Sequence, residues 1–177
     1  MSSVRASAYL TTADAAINPF GETGTLTGFY PAVYHELCAL AMLATGISAP
    51  TAINVSIAVA GSVAFPVSMA LCISEVFRDD RPAMLSGAIL CCLFPAMPYA
   101  LTLFGPLYPN LFAFALLPLG VALVFGHMND EKGSPASFVA ALLVTVIALV
   151  LFHPNAVFSL GVLTVPSVAV RLARKQR

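Results

Sequence analysis

The sequence predicts an all-α protein, a polytopic membrane helix bundle of about five spanning helices with one more helix lying on the outer face. Two observations carry this. Residues 37–74, 82–129 and 133–170 contain no Asp, Glu, Lys or Arg, and each stretch exceeds the roughly 20 apolar residues that cross a hydrocarbon core once. The composition agrees: 59% hydrophobic residues, 9% charged residues and a mean hydropathy of +0.92 leave too little polar surface for a soluble chain of 177 residues.

Charge sets the expected topology. The net charge is zero, but seven of the eight basic residues fall in three places: Arg78 with Arg81, Lys132, and the tail Arg171, Arg174, Lys175 and Arg177. Basic residues at helix ends stay on the cytoplasmic side. The three clusters are therefore read as cytoplasmic in a plasma-membrane protein whose C-terminus lies inside the cell.

In chain order, residues 1–29 are polar and mildly acidic, with Asp14 and Glu22 against Arg5, and contain no apolar core of a signal peptide. They form an extracytoplasmic segment ahead of a transmembrane domain, residues 30–177, that ends in the basic tail. Residues 31–48 are read as an interfacial helix on the outer leaflet, because the apolar run from Leu37 to Ala44 is short and the first turns carry Tyr34, His35 and Glu36. Residues 50–77 are the first span. Residues 83–104 and 109–127 form an out-and-back hairpin, and 136–152 and 155–171 form a second one.

Pro66, Pro95, Pro98, Pro118 and Pro166 fall inside these spans, where a bundle tolerates proline by re-satisfying the freed carbonyls. Ala58, Ala60, Gly61, Ser62 and Ala64 favour close backbone approach. The four cysteines, Cys38, Cys72, Cys91 and Cys92, lack metal-ligand spacing and read as small buried hydrophobes. Phosphate-binding glycine loops, nucleophile elbows and zinc motifs are not found, and the short basic tail fits anionic lipid, with no nucleic acid as partner. Glu75 and His127 lie at cytoplasmic helix ends, where solvated or dipole-related roles are expected.

The topology brings three similar pieces to one side: Tyr30-Pro31 with His35 and Glu36, Tyr108-Pro109-Asn110, and His153-Pro154-Asn155. Proline suits a first helical turn, so each piece opens a helix at or just after its proline. Helix N-termini present free N–H groups and partial positive charge, the chemistry of a phosphate or carboxylate site. Tyr30, His35, Glu36, Tyr108, Asn110, His153 and Asn155 are thus the candidate ligand-binding residues, with imidazoles from His35 and His153 and amides from Asn110 and Asn155. The competing reading is structural, since tyrosine belongs to the interfacial belt and Pro-Asn is ordinary turn chemistry.

The run from Gly28 to Leu37, Thr45-Gly46-Ile47-Ser48, Pro66, Leu107 to Leu111 and His153 to Ala156 resembles an uncharacterised family of actinobacterial multi-pass membrane proteins across nearly the whole chain. That family is in turn similar to the GT-C glycosyltransferases, membrane enzymes that move a sugar from a polyprenyl-phosphate carrier to an acceptor outside the cytoplasm. In those enzymes a Tyr-Pro-Pro or similar motif opens a juxtamembrane helix on the outer face, and Tyr30-Pro31 occupies the matching place.

The resemblance implies a polyprenyl-phosphate-linked sugar as ligand in cell-envelope glycan assembly. It also implies a divalent metal if it extends to the enzymes' chemistry, although no cofactor is evident from the residues. The first spanning helix and the acidic loop that supplies the catalytic acid are not matched. The expectation is accordingly an N-terminally truncated copy that binds without catalysing alone. The alternative is a transporter or lipid-binding module with an outer-face anion cavity and no chemistry, and the lipid bilayer is a partner in either case.

Overall fold

The computed structural model describes residues 33–78, 80–93, 96–103, 107–129 and 133–175. Tyr30 and Pro31, and with them the segment 1–29, lie outside the described residues. The fold is an all-helical membrane bundle. Helix α1 is Val33–Thr45, α2 Ala49–Phe77, α3 Arg81–Leu93, α4 Tyr108–Asn129, α5 Pro135–Phe152 and α6 Asn155–Lys175.

Among these, α2, α4, α5 and most of α6 are long and apolar enough to cross a membrane. Their bounds fall within about four residues of the spans read from the sequence, as helix ends generally do. The outward faces are apolar, with Val144, Phe158 and Val162 all more than half exposed. Such a surface is unfavourable in water and neutral against lipid tails.

The span expected at residues 83–104 is not one continuous helix. After α3 the chain makes a short helical stretch, Ala96–Ala100 and Leu101–Leu103, with an extended residue inside it: Met97 has φ −135° and ψ 125°. The reason is local. Met97 precedes Pro98, whose ring clashes with a helical conformation at the residue before it.

Helix α2 keeps its proline by a different device. One turn ahead of Pro66, residues Ala60–Ala64 widen into a π-helical turn in which the Phe65 N–H donates to the Ala60 carbonyl. The wider turn leaves room for the proline ring near the carbonyl four residues back. Ala60 and Phe65, five residues apart, therefore share one face and pack in the same cluster with Cys91, Leu111 and Ala115.

Helix α1 is capped by chemistry legible in its sequence. Gly46, at φ +75°, closes it with an N–H bond of 2.9 Å to the Met42 carbonyl. Ser48 then opens α2 by accepting from the Thr51 N–H at 3.4 Å, with Pro50 in the first turn. The two helices fold back on each other through Tyr34, Cys38, Met42 and Ala52. At 13 residues α1 is about 20 Å long, against about 43 Å for the 29-residue α2. Its start meets the start of α4, and at 13 residues it is too short to cross a membrane.

Helix α4 is the axis of the molecule. It contacts α1, α2, α5, α6 and the broken stretch before it, and Leu111, Ala113 and Ala115 on it are fully buried. Gly120 sits where a Cβ would meet Leu160 of α6 at 3.0 Å, so the α4–α6 contact depends on the missing side chain. Hydroxyls inside the spans bond back to their own helices, Ser68 to the Ala64 carbonyl, Thr145 to Ala141 and Thr164 to Leu160. Cys38 and Cys91 are buried among apolar neighbours, as small hydrophobes.

Candidate functional site at the Tyr108 end

The start of α1, the start of α4 and the α5–α6 turn meet at one end of the bundle through aromatic contacts. The Tyr34 ring lies 5.7 Å from Tyr108 and 5.5 Å from Phe112, and Phe112 stacks on Phe152 at 5.2 Å. Tyr34 is fully buried, and its hydroxyl shares a hydrogen bond of 3.1 Å with Ser56 Oγ. Phe152 is the residue before His153, so the stack ties all three motifs together.

The α5–α6 turn is as tight as its sequence predicts. His153 ends α5 with its N–H on the Leu149 carbonyl at 2.8 Å and is extended, at φ −165° and ψ 115°, because Pro154 follows it. The His153 carbonyl accepts from Ala156 N–H and the Pro154 carbonyl from Val157 N–H, each at 3.1 Å, and α6 starts at Asn155. Helix α4 likewise starts beside its proline, at Tyr108.

The candidates differ in what they face. His153 Nδ1 and Asn110 Oδ1 are buried and have no hydrogen-bond partner among the described residues. Buried polar atoms are nearly always paired, so each of these two calls for a water or a ligand group. Tyr108 is half-buried in the aromatic cluster. His35 packs edge-on against Tyr34 at 5.5 Å, and burial lowers its imidazole pKa from the usual value. Glu36 and Asn155 are exposed at the rim.

Tyr34, Phe112 and Phe152 were not among the sequence candidates, yet they make the floor on which the motifs sit. The signal for Tyr34 was its place on the α1 stripe with Cys38 and Met42, four and eight residues on.

One helical turn below Asn110, at Phe114, an apolar cavity of about 470 Å³ opens between α2, α3 and α4, with Phe65, Met69 and Met97 in its wall. The described residues contain no group of three His, Cys, Asp or Glu side chains able to hold a metal ion.

No curated protein and no solved structure matches the chain. Over residues 1–177 the chain matches the model of a family of unknown function, DUF6541, and it belongs to that family of multi-pass membrane-helix proteins.

Proposed function

We propose that the Tyr108 end binds an anionic, lipid-linked substrate of the polyprenyl-phosphate sugar type, as a GT-C-like protein of cell-envelope glycan assembly would. The observation that carries the reading is the pair of unpartnered buried atoms, Asn110 Oδ1 and His153 Nδ1, among three motif ends joined by one aromatic stack. The N-termini of α4 and α6 supply dipoles and free N–H groups for a phosphate. His153 Nδ1 supplies a donor in the tautomer that protonates it, and Asn110 Oδ1 accepts from a sugar hydroxyl. The apolar cavity beginning at Phe114 gives a prenyl chain its place below the headgroup.

The same reading places this end outside the plasma membrane. Arg78, Arg81, Arg171 and Arg174 gather at the opposite end of the bundle, and the positive-inside rule makes that end cytoplasmic, C-terminus included. Tyr30, on the same motif as His35, belongs to this proposed site by sequence.

A second reading of the same site, a lipid-binding or transport module without chemistry, is favoured by one observation. The only carboxylate that the described residues bring to this end is Glu36, and it is exposed. Retention of polyprenyl phosphate against the matching polyprenol, by the purified protein in nanodiscs, tests binding in either form. The phosphate is expected to be held about tenfold better, with the preference lost in His153→Ala and Asn155→Ala. An unchanged preference in both variants would sink the shared anion site. Transfer of sugar to an acceptor separates the two readings. Membrane-impermeant thiol labelling of single cysteines at Asp79 and Asn155, in a cysteine-free background, tests the orientation: Asn155 is expected to label in intact cells and Asp79 to stay protected.

A further inference from the structure

At the opposite end of the bundle, α2, α4 and the start of α5 line a second, open cavity of about 410 Å³ that the proposed function leaves unused. Two ionisable side chains line it, Glu75 and His127. Glu75 lies against α4 where Gly126 has no side chain: a Cβ there would stand 3.4 Å from Glu75 Oε2. Asn129 locks the same contact by donating from Nδ2 to the Glu75 carbonyl at 2.8 Å. His127 stacks flat on Phe138 of α5, with ring centroids 4.0 Å apart and planes 4° from parallel. Among the described residues, no side chain pairs with the Glu75 carboxylate or with the His127 ring nitrogens.

The third polar wall is the first turn of α5. Ser134 and Ser137 line the cavity, and Ser134, the N-cap, makes no side-chain capping bond. The cavity thus offers a carboxylate on one side, and an imidazole, two hydroxyls and a helix N-terminus on the other.

Its depth is as informative as its mouth. Leu71 lies one turn below Glu75, Ala141 one turn below Ser137, and Leu119 about 12 Å below His127 along α4. The polar groups are therefore level with the helix ends, where lipid headgroups lie, and the apolar floor reaches into the hydrocarbon layer.

We infer that this cavity is a binding site for a zwitterionic phospholipid carrying a primary ammonium, the ammonium on Glu75 and the phosphate against His127, Ser134 and Ser137. A carboxylate alone would repel an anionic lipid, and the α5 N-terminus alone would not select a cation. The pair of opposite poles across one cavity matches both ends of a phosphoethanolamine headgroup. Acyl stems then follow the Leu71–Leu119 floor. The site is independent of the one proposed at the Tyr108 end.

Native mass spectrometry of the full chain, taken from nanodiscs of equal phosphatidylethanolamine, phosphatidylcholine and phosphatidylglycerol, tests the inference. The wild type is expected to retain phosphatidylethanolamine about tenfold over either competitor, the factor supplied by one charge-assisted hydrogen bond. Glu75→Gln is expected to abolish the preference, and His127→Phe, which keeps the ring stacked on Phe138, to reduce it. Equal retention of the three lipids by the wild type overturns the inference, as does an unchanged preference in Glu75→Gln. A third arm separates the lipid from its free headgroup. Displacement of the bound lipid by millimolar phosphoethanolamine would overturn the claim that the site needs the acyl stems. If Glu75→Gln does not fold, His127→Phe and Leu119→Phe, which fills the floor, carry the test: an unchanged lipid preference in both overturns the inference.

Discussion

The Tyr34 hydroxyl shares a 3.1 Å hydrogen bond with Ser56 Oγ, which also donates to the Ile53 carbonyl at 2.7 Å. This contact fastens the start of α1 to α2 beside the proposed site. Tyr34→Phe, which keeps the ring and removes the hydroxyl, is expected to cost about 1 kcal/mol. Tyr34→Ala, which empties a fully buried ring position, is expected to cost about 3 to 5 kcal/mol. Thermal unfolding of the purified protein in detergent checks both, and equal losses would show that the ring contributes nothing beyond its hydroxyl.

His35 gives α1 a pH dependence of fixed sign. Burial lowers its folded-state pKa below the ordinary value of about 6.5. Between those two values the unfolded chain binds a proton that the folded chain does not. The His35 contribution is therefore fully present above about pH 6.5 and is lost as pH falls through the folded pKa. Melting temperatures measured against pH should decline over that window in the wild type and stay flatter in His35→Phe.

Asn110 and His153 should trade stability for binding. Each holds a buried polar atom that no group among the described residues satisfies, and leaving such an atom unpaired costs roughly 1 to 3 kcal/mol. Asn110→Leu and His153→Phe are expected to leave the ligand-free protein as stable as the wild type or to raise its melting temperature, while removing retention of polyprenyl phosphate. A fall in stability in both would mean that these side chains serve the fold.

Gly120→Leu should loosen α6. The new side chain would start 3.0 Å from Leu160 Cδ1 and must push α4 and α6 apart, an overpacking cost of about 1 to 3 kcal/mol. Gly120→Ala asks only for a small movement of the flexible Leu160 tip and is expected to cost less. Proteolysis rates at the basic tail, compared across the two variants, report the loosening.

Much of the fold was legible because the membrane simplifies the code. Charge-free length gives the spans, and basic residues mark their ends, so α2, α4, α5 and α6 could be bounded closely. What resisted was local backbone geometry. The break at Met97 depends on Pro98 acting on its neighbour, and Pro66 four turns into its own span produces no break at all, only a π-helical turn. A proline in the sequence does not say which device the chain will use.

The site was legible as a meeting of motifs and illegible in its packing. The polar first turn of α1 suggested a helix facing headgroups, whereas Tyr34 points inward to Ser56, Tyr108 and Phe112. Glu75 and His127 carry the opposite lesson. Each alone looks like a solvated helix end, and only the approach of α2 to α4 at Gly126 puts them around one cavity.

The π-helical turn at Ala60–Ala64 gives α2 two phases. Above it Ala52 packs with α1, and below it Ser68 and Ile73 are buried on the bundle side. The extra residue shifts the pattern of buried positions by one residue, about 100° of an ordinary helix, and the wide turn takes up that shift so that both halves face the bundle. Deleting Gly61 would leave Ala60 and Phe65 four residues apart, still on one face of an ordinary helix, but would remove the wider turn that leaves room for the Pro66 ring. A stretch of small residues that looks interchangeable thus carries a constraint written in residue count, because five residues from Ala60 to Phe65 keep one face only while the turn is wide.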